Sequence, residues 1–322
     1  MTSRCLIGAV FAVGLAAPAF AIWPTDPTVN VALCNATGNQ GGNGPAVVPS
    51  IDGGAIVAWR DERFTDYDIY AQRIAVSGVK LWPGDVPVCV NDRAQTYPAI
   101  AADGGGGAFI AWFDPRPPDY LEVWAQYIDS AGAHQWTANG IVLNDTSINS
   151  QHTLRGVADG RGGAIFVWED LRDYATNRKD LYAQRVEDDG PTWTAGGVVI
   201  SAAAGDQRDP AVGSPRDGSV VIAWRDGRVG ESIADIYAVE IVEGTAIVGP
   251  PDGLAVSTAP YGQNGPVVGL TGWNEAMIVW NDSRNLATGT DVYAQGVFLT
   301  AIFGDGFETG DTTAWSAVAP GR

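Results

Sequence analysis

The chain has 322 residues, and its 19 lysines and arginines face 37 aspartates and glutamates, a net charge of −18. A field of that sign repels a polyanion such as nucleic acid, so no nucleic-acid partner is expected and such binding is disfavoured. Three cysteines and two histidines fit no usual zinc-ligand spacing.

The first residues read as a secretory signal peptide over 1–21. Arg4 gives a positive start, Leu6 to Ala17 is apolar, and Ala19-Phe20-Ala21 fits a small-residue cleavage site. No later stretch is apolar for long enough to cross a bilayer. The expectation is an exported protein, secreted or held in the periplasm or on the cell surface. Of the cysteines, Cys5 lies in the leader. Cys34 and Cys89 remain, in equivalent places of neighbouring repeats, where a bridge is geometrically disfavoured.

From there the chain repeats itself. The pattern W-x-D-x-R begins at Trp59, Trp112, Trp168, Trp224 and Trp280, at steps of 53 and then 56 residues. Each copy is trailed by Asp68-Ile69-Tyr70-Ala71-Gln72 or a near copy of it, down to Asp291-Val292-Tyr293-Ala294-Gln295. One unit copied at this period cannot bury a core alone and must stack on its neighbours. Within the first unit, Pro45 to Pro49 is extended, Asp52-Gly53 signals a hairpin, and Ala55 to Trp59 is continuously apolar. Asp68 to Ile74 is rich in strand formers, and Val86 to Val90 follows Trp82-Pro83. Four short strands over about 55 residues describe one blade of a propeller.

The prediction is therefore all-β: a five-bladed β-propeller of four-stranded blades spanning 22–302. Blade cores fall at about 45–97, 98–153, 154–209, 210–265 and 266–299 plus 22–44. The fifth repeat stops after its third strand, and Trp23-Pro24 echoes Trp82-Pro83. The N-terminal strand Val29 to Cys34 is thus expected to complete the last blade and remove the open sheet edges. Residues 303–322 form a Gly/Asp-rich tail outside the repeat.

The paired motif W-x-D-x-R and D-[IL]-Y-A-Q resembles a repeat of exported bacterial propeller proteins, and the resemblance implies fold and export. Sialidases share the overall shape, but their S-x-D-x-G-x-T-W box occurs in no repeat here. The tail stretch Asp305-Gly306-Phe307-Glu308-Thr309-Gly310-Asp311-Thr312 resembles a signature near the ends of many exported bacterial proteins.

Five Asp–Arg pairs recur: Asp61/Arg63, Asp114/Arg116, Asp170/Arg172, Asp226/Arg228 and Asp282/Arg284. A feature present in every blade is read as a structural tie, with Arg63 gripped by both Asp61 and Asp68 and likewise around the ring. Chemistry needs unlike groups in unlike environments, so an active site should break the symmetry. The oxygen-rich ring also suits a hard cation such as Ca²⁺, but no calcium-loop motif is present and no cofactor is expected. Gln95, Gln151, Gln207 and Gln263 precede the innermost strands; capping the inner-strand backbone is their main reading, and binding a polar ligand at the rim of the central opening is the other. His152 lies in a loop joining consecutive blades, on the face where a ligand is expected. Acidic candidates for catalysis are Glu122, in the most divergent repeat, and Glu169.

Two functions are carried forward. The main expectation is a non-catalytic binding or surface-interaction scaffold, monomeric, taking a glycan or protein ligand on its variable loops. The alternative is a glycoside-processing enzyme with acidic residues in a central pocket. No G-x-S-x-G elbow, phosphate loop or dinucleotide fingerprint occurs.

Overall fold

The computed structural model describes residues 28 and 30–297, except 117–120, 145–151, 217, 243, 245 and 271–275. The expected leader, the tail and Gln151 lie outside these. The described residues form five antiparallel sheets of three to five strands. One short 3₁₀ turn, Glu231–Ile233, is the single helical element among them.

The first sheet runs Ala46–Pro49, Ala55–Asp61, Asp68–Ile74 and Val86–Cys89, in chain order from the inside outward. The second repeats it with Thr96–Ala102, Ala108–Asp114, Glu122–Ile128 and the short Ile141–Val142. In the third and fourth sheets, the third strands Asp180–Glu187 and Asp235–Val242 each pair with two outer strands. The fifth sheet holds Gln263–Leu270, Ala276–Asp282 and Asp291–Val297. The inner strands of successive sheets contact one another, which makes the sheets blades around an axis.

Register explains why two motifs travel together. Trp59 lies opposite Tyr70, Trp112 opposite Trp124, Trp168 opposite Tyr182, Trp224 opposite Tyr237 and Trp280 opposite Tyr293. With a side-chain period of two, this fixes one face of each blade as the Trp face. The opposite face of one blade packs on the Trp face of the next. Ile56, Ala58, Ile69 and Ala71 meet Ile110 and Trp112, and Val221, Ala223, Ile236 and Ala238 meet Ile278 and Trp280. Burial on both faces accounts for the unbroken apolar run of each second strand.

The trailing glutamine has its own task. Gln72, Gln126 and Gln184 each donate from Nε2 to a loop carbonyl (Gly84, Thr137, Thr194). Their Oε1 atoms accept from the backbone N–H groups of Trp82, Trp136 and Trp193. Those indoles donate onward to the carbonyls of Ser130, Asp188 and Gly244 in the following blade. One side chain thus shapes the approach to the outer strand, and the tryptophan it holds ties blade to blade.

At the array's two ends the pattern is interrupted. Residues 30–34 form no strand, and no fourth strand joins the fifth sheet among the described residues. Leu33 and Cys34 instead pack on Val57, Trp59 and Tyr70. The outward face of the fifth sheet is open, with Val267 61%, Met277 38% and Val292 72% exposed.

Candidate functional site

Each Asp of the repeated pair lies fully buried at the end of its second strand. Asp170 Oδ2 accepts from the Trp168 indole at 2.8 Å, and Oδ1 accepts from the Arg172 backbone N–H at 2.8 Å. The Arg172 guanidinium closes the clamp at 3.0 and 2.7 Å. It also lies 3.7 Å over the Tyr182 ring and donates to the Gly196 carbonyl. The same stack of arginine on aromatic recurs at Arg63, Arg116, Arg228 and Arg284.

The expected grip of Arg63 by Asp68 is corrected: Arg63 bonds Asp61 and Asp85. Asp68 stands opposite Asp61 across the strands, and burial, with the Asp61 and Asp66 carboxylates adding, pushes its pKa up to about 6. Burial and the nearby Asp173 carboxylate push Asp180, in the same place of the third blade, up to about 7. Cys34 and Cys89 are free thiols, each accepting from an arginine, Arg63 and Arg116, at 3.3 Å.

Gln95, Gln207 and Gln263 do not rim an opening. All three are fully buried, and each donates to two carbonyls of its own loop. The loop closes on the amide before the chain turns inward, a direction that sequence spacing does not reveal. His152 begins an inner strand opposite Glu169. Glu122 accepts from the Trp124 indole at 3.1 Å and lies opposite Asp114. It therefore holds the position of Asp68 and Asp180 in its blade.

The symmetry breaks where the inner strands begin. Gly44, Tyr97, Thr153, Asp209 and Gly265 all have φ between 46° and 81°, immediately before Pro45, Pro98, Leu154, Pro210 and Pro266. Three of these are not glycine, and a left-handed L-residue costs on the order of 1–2 kcal/mol. Such strain persists where the surrounding structure enforces it, commonly at ligand sites. A second broken ring is the middle residue of W-x-D, read as Arg60, Phe113, Glu169, Arg225 and Asn281.

Gly44, Tyr97 and Thr153 of the first ring and Phe113 of the second line a cavity of about 600 Å³ at the start of the first three inner strands. Its walls are Asn43, Gly44 and Pro45, then Tyr97, Pro98, Phe113 and Leu121, then Thr153, Leu154 and Arg155. Tyr97 is 54% exposed, its ring 6.1 Å from Phe113 in an edge-on pair. One blade further on, Glu169 takes the place of Phe113 and Asp209 the place of Thr153. Glu169 is 2% exposed. Its Oε2 accepts from Lys179 Nζ at 2.7 Å and its Oε1 from the Asp209 backbone N–H at 3.0 Å.

Among the described residues, no group of three or more His, Cys, Asp or Glu side chains is arranged to hold a metal ion. No helix there is long and apolar enough to cross a membrane. Nothing matches the chain among family models or among curated proteins.

Similar solved structures do exist. A thermostable family-43 glycoside hydrolase is 10% identical, with 82% of this chain and 91% of that one covered at a TM-score of 0.43. An α-L-arabinofuranosidase from Fusarium graminearum is 10% identical, covering 80% and 93% at 0.45. A Hadza microbial sialidase is 12% identical, covering 79% of this chain and 58% of that one at 0.48. At these identities the likeness is one of fold and assigns no residue. The expectation of a non-catalytic scaffold is nevertheless corrected, because the similar chains are glycoside hydrolases and a sialidase.

Proposed function

We propose that this is an exported glycoside-processing enzyme that binds sugar in the cavity between the first three blades. Glu169 and Asp209, one blade beyond the cavity lining, supply its carboxylates. One observation carries the reading: at the places that Phe113 and Thr153 hold in the cavity wall, the next repeat has a buried glutamate and an exposed aspartate whose backbone N–H donates to it. The exposed face of Tyr97 offers a ring for a sugar to stack on, and Asn43 and Thr153 offer hydroxyl partners.

Glycoside hydrolysis commonly uses two carboxylates, one ionised and one that delivers a proton. Glu169 would stabilise the positive charge that develops on the sugar ring, or activate water against it. Asp209, exposed at the start of the fourth inner strand, would be the second carboxylate. Glu169→Gln and Asp209→Asn should each lower hydrolysis by about 100-fold or more while the fold is kept. A Glu169→Gln protein with wild-type turnover refutes the assignment.

The fold reading extends to a closed five-bladed ring, with residues near 30–34 acting as the outer strand of the fifth blade. Two observations support it. Cys34 accepts from Arg63 as Cys89 does from Arg116 of the blade that follows it, the contact expected of an outer strand of a blade preceding the first. The open face of the fifth sheet carries Val267, Met277 and Val292, apolar like the faces that pack together at the other junctions.

A further inference from the structure

The cavity is electrostatically unlike the rest of the molecule. In a chain of 37 acidic residues its lining holds one guanidinium, Arg155, and no carboxylate. Most arginines here are tied to an acid, as in Arg63–Asp61, Arg172–Asp170, Arg185–Asp159, Arg208–Asp206, Arg225–Glu231 and Arg284–Asp282. Arg155 is exposed, and its Nη1 donates to the Leu154 carbonyl at 3.0 Å. No carboxylate among the described residues pairs with it. Arg60, behind the Asn43 wall, is equally without an acid: it stacks 3.7 Å over Tyr67 and lies against Gly42.

We infer that the cavity is a subsite for a carboxylate-bearing sugar, a uronic-acid unit, with Arg155 as its specificity-determining residue. This rests on the reading of the cavity as a sugar site. A planar guanidinium matches a carboxylate through two parallel hydrogen bonds, and the exposed face of Tyr97 in the same lining accommodates the ring that bears the acid. The net charge of −18 does not oppose this at contact, because a Debye length of about 8 Å at physiological salt screens distant carboxylates. The lining itself contributes none. A free anion or an acidic peptide would satisfy Arg155 but leave Tyr97, Phe113 and Thr153 without a partner.

The test separates binding from turnover. On the Glu169→Gln protein, calorimetric titration compares oligogalacturonate, its methyl ester and a glutamate-rich peptide. The acid form should bind about 10- to 100-fold tighter than its neutral ester, the range expected of one charge-assisted pair. Arg155→Gln should erase that preference, and Arg155→Lys should restore part of it. Equal binding of acid and ester overturns the inference, as do failure of both to bind, a preference that survives Arg155→Gln, and equal binding of the peptide. Acid-selective binding with no turnover by the wild-type protein would leave this inference standing and refute the enzymatic reading. Turnover of neutral glycosides alone would do the reverse.

Discussion

Asp170→Ala removes the acceptor at the centre of a buried clamp. This carboxylate accepts hydrogen bonds from the Trp168 indole, from the Arg172 backbone and, twice, from the Arg172 guanidinium. The indole and the backbone N–H would be left buried without an acceptor, at about 1–3 kcal/mol each. Arg172 is better protected. It keeps the Gly196 carbonyl at 2.9 Å, the Tyr182 ring, and a side chain 20% exposed to water. The full cost of breaking a buried ion pair, about 3–5 kcal/mol, therefore sets an upper bound. A loss of about 2–4 kcal/mol is expected, or roughly 3–6 °C in melting temperature for a chain of this size. Asp170→Asn keeps an acceptor for one side of the clamp and should lose less. Asp282→Ala should also lose less, because Arg284 is 31% exposed. Thermal unfolding by circular dichroism reads all three. A melting temperature unchanged in Asp170→Ala would show that the clamp does not hold the blade.

Two further outcomes follow. Asp180 has an ordinary carboxyl value of 3.8 that burial and the Asp173 charge raise to about 7, so the folded state favours the protonated form. The stability this gives is full below pH 3.8 and is lost as pH rises to 7. Asp180→Asn should therefore raise the melting temperature at pH 8 more than at pH 4.5, and an equal change at both contradicts the buried, protonated carboxyl. For closure, Cys89 pairs with Ile69, Ser201 with Leu181 and Ser257 with Ile236. The same register sets Cys34 opposite Val292, so Val292→Cys in a Cys89→Ser background should give an intramolecular disulfide by mass spectrometry. Only unbridged thiols or dimers under mild oxidation would leave the ring open.

The repeat made the architecture legible because each repeated residue does a blade-level task. The Trp and Tyr meet across two strands, the Asp receives the Trp indole, and the trailing Gln holds the next turn. The same regularity hid the candidate site, whose residues stand at the positions where the motif says nothing. Tyr97, Thr153 and Asp209 precede a proline or leucine, and Phe113 and Glu169 fill the unspecified slot of W-x-D. The sequence offered Glu169 only beside Glu122, which holds the place of Asp68 and Asp180 in its blade. It gave no sign that Asp209 stands beside Glu169 or that Arg155 faces the cavity, because both depend on the left-handed kink that starts each inner strand. The glutamines misled for a related reason: their spacing was plain, but whether an amide faces a channel or closes its own loop is decided by backbone turns at Arg93, Gly205 and Tyr261.

The measurement nearest to the central claim is release of reducing ends from a panel of neutral and acidic polysaccharides by the purified wild-type protein, run beside Glu169→Gln. The account predicts release from at least one substrate, lowered by about 100-fold or more in the variant at an unchanged melting temperature. No release from any substrate, or equal release by both proteins, contradicts it.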